Sequence, residues 1–295
     1  MRLWRLPALL LTALVTPPAA AAEPTGISTC GVEIATPGDY VLSQDIGPCA
    51  GNGIVITAPD VRLNLAGYSV LGEPETGGCN RRTFEVGISV GAEARNVSVR
   101  GGSVSRFPVG VFTLGTGTEF SSLRLLDNCR TNAELRGDGA SLARSDIRGG
   151  DEGVAIWADG VAVSGNHIHG SLAYGVNVAV ANGSTIERNI IDENGLGFFL
   201  GAGIVLFGSG HTVRENAILD NLEGFQILDT EDMLVERNDV NGNVASGIIV
   251  LIDSMGLEIR GNRARGNRLD AVEDNDCPAN SWTDNDFGTT RGCID

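Results

Sequence analysis

One phrase recurs through the second half of the chain, and few architectures accommodate it. It is clearest at Val213-Arg214-Glu215-Asn216-Ala217-Ile218-Leu219-Asp220-Asn221. It returns around Asn166, Asn189, Asn238 and Asn262, at spacings of 23, 27, 22 and 24 residues, and a sixth copy at Asn285 follows after another 23. A period in the low twenties with alternating apolar residues is the mark of a repeat array, in which each unit buries its apolar face only against its neighbours.

Each unit carries about three short runs of alternating residues, separated by Gly, Asn or Asp corners. Seen from residue 53 onward, units open on a Gly followed by apolar alternation, as at Gly53-Ile54-Val55-Ile56, Gly153-Val154-Ala155-Ile156 and Gly203-Ile204-Val205-Leu206. Asn132-Ala133-Glu134-Leu135 fills one such place without the Gly. Runs this short, without matched turns between them, do not close into hairpins. They can stack instead, each pairing with the equivalent run one unit later at roughly 4.8 Å. The expected fold is therefore an all-β parallel β-helix of three sheets with about nine to ten coils, roughly 45 Å long at that spacing.

The Asn positions then acquire a structural role. Asn166, Asn189, Asn216, Asn238, Asn262 and Asn285 each stand two residues before an inward apolar residue, so they point inward at a corner and are expected to stack as an amide ladder. Asn194, Asn221, Asn243 and Asn267 mark a second column.

Residues 1–22 read as a secretory signal peptide: Arg2 and Arg5, the apolar run Leu6 to Val15, then Ala20-Ala21-Ala22. The expectation is export, to periplasm or medium, with no membrane insertion. Residues 23–52 read as an N-terminal cap, 53–271 as the repeats and 272–295 as the last coil and cap. Six Cys in an oxidising compartment predict three disulfides, and local closure favours Cys30–Cys49, Cys79–Cys129 and Cys277–Cys293, stapling the ends.

Every basic residue is Arg; without the first 22 residues, 19 Arg face 37 acidic residues, a net charge of −18. That weighs against nucleic acid or an anionic membrane as partner. The absence of Lys excludes Lys-base and Schiff-base chemistry.

The repeats, the Asn corners and the segment from Gly53-Ile54-Val55-Ile56 through Val61-Arg62-Leu63-Asn64-Leu65-Ala66-Gly67 resemble the right-handed parallel β-helix repeat family of the pectate-lyase-like superfamily. The resemblance implies a right-handed, single-stranded solenoid. It leaves activity open, since the family holds lyases, glycosidases, epimerases, adhesins and copper-maturation proteins. Alginate epimerases carry Tyr-Gly-x-Asp-Pro-His; here Tyr174-Gly175-Val176-Asn177-Val178-Ala179 keeps only the Tyr-Gly, so the epimerase reaction is not implied.

The resemblance points to the outer face of the sheet that begins at each Gly. With Gly+1 and Gly+3 inward, positions +2 and +4 turn out. The outward set is unusually apolar, with Phe112, Trp157, Val205, Phe207, Leu228 and Ile249. A face of this kind implies a ligand, a partner, a second copy or a cover, and Gly195-Leu196-Gly197-Phe198-Phe199-Leu200-Gly201-Ala202 is the expected internal cover.

For a polysaccharide, Trp157 and Phe207 would stack on sugar while Asn177, Gln226, Glu134 and Arg136 give polar contacts. Asp229, Glu231, Asp232 and Asp253 gather at the following corner. They are candidate oxygen ligands for calcium, and Asp229 with Asp253 is the candidate acid/base pair for a polysaccharide lyase or glycoside hydrolase. The simpler alternative is an acidic corner on an acidic protein. His167 and His169 face out together at a spacing that permits metal binding, whereas His211 reads as a buried filler. Two other functions stay open: a non-catalytic envelope or adhesion scaffold whose groove takes a protein or a second copy, and a hydrophobic small-molecule site.

Overall fold

The computed structural model describes residues 23–73, 84–197, 201–251, 253–275 and 279–294. Residues 1–22, read above as a signal peptide, Cys79, Cys277 and the Phe198-Phe199-Leu200 part of the expected cover lie outside them. Among the described residues every regular element is a β-strand and every pairing between strands is parallel.

Three sheets wind along one axis. Sheet 1 holds twelve strands, from Val32–Ile34 to Thr290–Arg291. Sheets 2 and 3 are the other two faces; the long strands Ser98–Ser105 and Glu119–Leu126 run through the corner between them, joining both into one 21-stranded surface. Register follows the repeat. On sheet 1 Val154 pairs with Val176, Val176 with Ile204 and Ile204 with Phe225. On sheet 3 Ile168, Ile191, Ile218 and Val240 form one column, and on sheet 2 Val163, Ile186, Val213 and Val235 form another. All twelve of these side chains are buried, so the core is a stack of identical layers rather than one centre.

Twelve strands in sheet 1 correspond to about eleven turns, more than the nine to ten expected. The difference lies at the ends. The strands Thr25–Ile27, Val32–Ile34 and Gly38–Leu42, expected as a cap, pair in register with the sheets that follow. Leu269–Glu273 and Thr290–Arg291 add two more strands to sheet 1. At the N-terminal end Gly31-Val32-Glu33-Ile34 carries the Gly-apolar signature but lies inside the segment read as a cap, while the two C-terminal strands lack the signature. Cys30 and Cys49 form a disulfide across the first coil. Cys129 and Cys293 are disulfide-bonded as well.

The expected ladder forms. Asn189 Nδ2 donates to Asn216 Oδ1 at 3.0 Å and to the Val163 carbonyl at 2.9 Å, while the Asn189 backbone N–H donates to the same Asn216 oxygen at 3.0 Å. The pattern repeats through Asn238, Asn262 and Asn285. The second column runs from Asn194 to Asn267 and ends on Asp270, which accepts from Asn267 at 2.9 Å. From Asn166 to Asn262 and from Asn194 to Asn267 each amide is buried with both Nδ2 hydrogens used, the condition under which a buried polar column stabilises; the terminal Asn285 is half-buried.

Candidate groove on sheet 1

The corner into sheet 1 decides which side chains reach its outer surface. At Gly175 a Cβ would stand 2.6 Å from the Gly203 carbonyl oxygen, and at Gly153 one would stand 2.5 Å from that of Gly175. The chain can therefore turn here only without a side chain, or with one that replaces the contact by hydrogen bonds. Asn132 is the second kind: fully buried, it donates to the Gly149 carbonyl at 2.7 Å and accepts from Asn128 Nδ2 at 2.9 Å. Because Gly and Gly+1 both face inward, the strict alternation breaks at the corner and the residue before the Gly turns outward.

Three such residues are Glu152, Tyr174 and Glu223. Tyr174 and Glu223, together with the +2 and +4 positions, frame a groove of about 630 Å³ over the middle of sheet 1; Glu152 is not among the lining residues but accepts a hydrogen bond from Asn177, which is. Trp157, Val205, Phe207, Leu228, Ile249 and Leu251 give it an apolar floor and wall; Tyr174, Asn177, Glu223 and Gln226 give it polar points. Trp157 is 42% exposed, against 3% for Val205, so the indole is a large aromatic surface open to a ligand. No basic side chain is among the described residues that line the groove.

Two acids at this edge are shifted in the same direction, Glu152 and Glu223. Burial pushes the Glu152 carboxyl above the usual range, the hydrogen bond from Asn177 Nδ2 at 2.9 Å opposes this, and the neighbouring charges of Glu134 and Asp151 raise it further. Glu223 is also raised by burial, with Gln226 opposing. The Tyr174 hydroxyl is raised by burial and by the charge of Glu152. On the coil before Glu152, buried Glu134 accepts from Arg136 Nε at 2.5 Å, and the Arg136 guanidinium lies over the Trp157 ring, 4.9 Å from its centroid. Glu134, Arg136 and Trp157 thus form one chain of contacts beside Glu152.

Of the sequence-predicted residues, Trp157, Phe207, Asn177 and Gln226 line the groove together, and Glu134 with Arg136 flank it. Asp229, Glu231, Asp232 and Asp253 stand exposed at the far corner and do not line it. Among the described residues those four do not bring three ligand atoms within 4.8 Å of one another. Asp229, Asp232 and Asp253 occupy left-handed backbone positions, which Asp tolerates at corners and which accounts for their presence without a ligand. His211 is buried as expected. Its Nδ1 accepts from the Ser184 N–H at 3.1 Å and its Nε2 donates to the Phe207 carbonyl at 3.0 Å, and burial lowers its pKa.

Comparison with known proteins agrees with this architecture. The family described as right handed beta helix region matches residues 109–264 and 200–289, and the first match alone spans more than half of the 295 residues. The chain belongs to the right-handed β-helix family. Among solved structures it is similar to the periplasmic alginate epimerase AlgG, with a TM-score of 0.54 at 13% identity over 89% of this chain and 77% of that one. It is also similar to an alginate lyase from Paenibacillus sp. str. FPU-7, with a TM-score of 0.51 at 15% identity over 90% of this chain and 99% of that one. A third similar structure is the Dettilon tailspike protein, with a TM-score of 0.55 at 13% identity; this chain is covered over 88% of its length but spans only 53% of the tailspike. No match was found among curated protein sequences. Among the described residues no helix is long and apolar enough to cross a membrane.

Proposed function

We propose that the groove on sheet 1 binds an exported polysaccharide, and that the sugar is neutral rather than uronic. The observation that carries this is the composition of the groove: an exposed indole on an apolar strip, with amides and the half-buried Glu223 along one edge and no basic lining residue among those described. Aromatic faces stack on the C–H surfaces of sugars, and amides pair with hydroxyls, without a charge on the ligand. A polyuronate would meet Glu223 in the lining, and the flanking cation, Arg136, is already paired with Glu134, on a chain that is strongly acidic.

The alginate epimerase and the alginate lyase support a polysaccharide-related role for this shape, and the departure from alginate follows from the charge of the groove. If the bound chain is cleaved, Glu152 is the proton donor, because its raised carboxyl stays protonated at higher pH than an ordinary one. Glu134, whose charge acts on Glu152 from the neighbouring coil, is its partner carboxylate. This assignment replaces Asp229 and Asp253, which stand away from the groove. Export rests on the signal-like residues 1–22.

The test is retention of the protein on a panel of neutral and uronic glycans, with calcium and with chelator, followed for sugar release. Retention on a neutral glycan that Trp157→Ala abolishes supports the reading, and release lost in Glu152→Gln would make the protein a hydrolase. Retention confined to uronic glycans would reject the charge argument. Absence of retention across the panel would pass the groove to a second reading, which the Leu228, Ile249 and Leu251 end favours: an apolar surface that receives a protein or a second copy.

A further inference from the structure

Sheet 3 carries a second cluster, one corner away from the groove and unconnected with it. On the strand His167–His169 the two imidazoles stack at 4.2 Å between centroids and 9° between planes. Asp146 lies one coil before and Asp192 one coil after, in register with this strand. The Asp carboxylates reach the rings diagonally: His169 Nε2 is 3.1 Å from Asp146 Oδ1, and His167 Nε2 is 2.9 Å from Asp192 Oδ1. Ligand atoms of Asp146, His167 and His169 all lie within 4.8 Å of one another.

We propose that Asp146, His167, His169 and Asp192 form a site for one divalent transition-metal ion of the zinc class, clasping three consecutive coils. The donor chemistry selects the ion. Two imidazole nitrogens disfavour calcium and magnesium, which take oxygen ligands, while two nitrogens with carboxylate oxygens suit zinc at about 2.0–2.2 Å. Drawing in three atoms that already share a 4.8 Å neighbourhood needs only side-chain rotation, because parallel pairing fixes all three backbones. Asp192, already on His167, supplies the fourth donor, and two carboxylates then balance the dication. The nearby Arg148, in register with His169, does not oppose the ion, since its guanidinium is turned to Asp127 at 3.0 Å.

The position gives such an ion a structural task. The first amide ladder starts at Asn166, which accepts from Ser145, and the second starts at Asn194, which accepts from Ser171. Before those points Ser replaces Asn at both corners, and the metal would tie the coils together where the ladders run out.

The experiment is equilibrium dialysis of the full chain, stripped with chelator, against Zn²⁺, with Co²⁺ as a spectroscopic probe of four-coordinate N/O ligation. The expected result is one tight equivalent per chain that the His167→Gln/His169→Gln double variant and Asp146→Asn each weaken by about 100-fold or more, and Asp192→Asn by about 10- to 100-fold. All four side chains face outward, and the unfolding transition of each metal-free variant checks that the fold is retained. Equal zinc binding by wild type and the double variant would mean that the ion sits on the acidic surface at large, and would overturn the site, as would the absence of a tight equivalent.

Discussion

Successive coils of sheet 1 turn out Ala155, Asn177, Val205, Gln226 and Ile249; successive coils of sheet 2 turn out Glu187, Arg214, Glu236 and Arg260. Inward, both sheets carry the same buried aliphatic columns. In-register stacking places equivalent residues one strand apart, so a column of like charges would repel itself. Sheet 2 avoids this by alternating sign: Arg214 reaches Glu187 at 2.7 Å, and Arg260 reaches Glu236 at 3.0 Å. Arg188 and Arg237 complete a network along the axis through Glu215. Sheet 1 avoids it by carrying almost no charge over the groove. The interior of a solenoid is fixed by packing, and its outer faces are free to differ. A face that solves the stacking problem with apolar and amide groups instead of ion pairs is the one to suspect of binding.

The comparison can be broken at several levels. The largest effect on stability should come from what both sheets share. Asn216→Ala removes the acceptor of two Asn189 donors and leaves them buried, at a cost on the order of 2–3 kcal/mol, to be read as a lower midpoint in urea unfolding. A smaller effect sits beside the groove. Neutral His211 is held below its ordinary pKa of 6.5, so the unfolded chain binds the proton more readily than the folded one. Stability should be complete above pH 6.5 and decline as pH falls below it, and His211→Gln should flatten that part of the curve.

Glu152 has the opposite sign. Its raised carboxyl keeps a proton that the unfolded chain gives up near 4.5, so the proton-donor form persists above that value and is lost as pH rises through the raised one. Any cleavage at the groove should therefore fall on the alkaline side, and Glu152→Gln should abolish cleavage while leaving retention. The smallest effect belongs to sheet 2: Arg214→Ala should lower the urea midpoint least, and less still in high salt, because the pair is partly exposed to solvent and screened.

Most of the fold was legible because inward positions obey the repeat. The Asn columns, the strand alternation and the outward set that includes Trp157, Asn177, Phe207 and Gln226 all follow from a period near 23 and a two-residue alternation. Legibility failed where the period or the alternation breaks. The coil at residues 25–49 carries the signature at Gly31-Val32-Glu33-Ile34 but sits among turn residues that read as a cap, and the strands at 269–291 carry none, so the expected count is too low. Glu152, Tyr174 and Glu223 precede the corner Gly, and alternation counted back from the strand places them inward; only the pair of consecutive inward positions at the corner reverses them. Asp229 and Asp253 attracted notice for the complementary reason, since carboxylates crowd at corners where left-handed backbone favours Asp. The third metal donor, Asp146, stands 21 residues before His167 and is joined to it only by register.

The most direct measurement is titration calorimetry of a soluble neutral oligosaccharide against wild type, Trp157→Ala and Arg214→Ala. The account predicts measurable affinity for wild type, a loss of about 10-fold or more in Trp157→Ala, equivalent to about 1.4 kcal/mol, and no change in Arg214→Ala. Equal affinity in all three proteins, or a loss in Arg214→Ala that Trp157→Ala does not show, would contradict it.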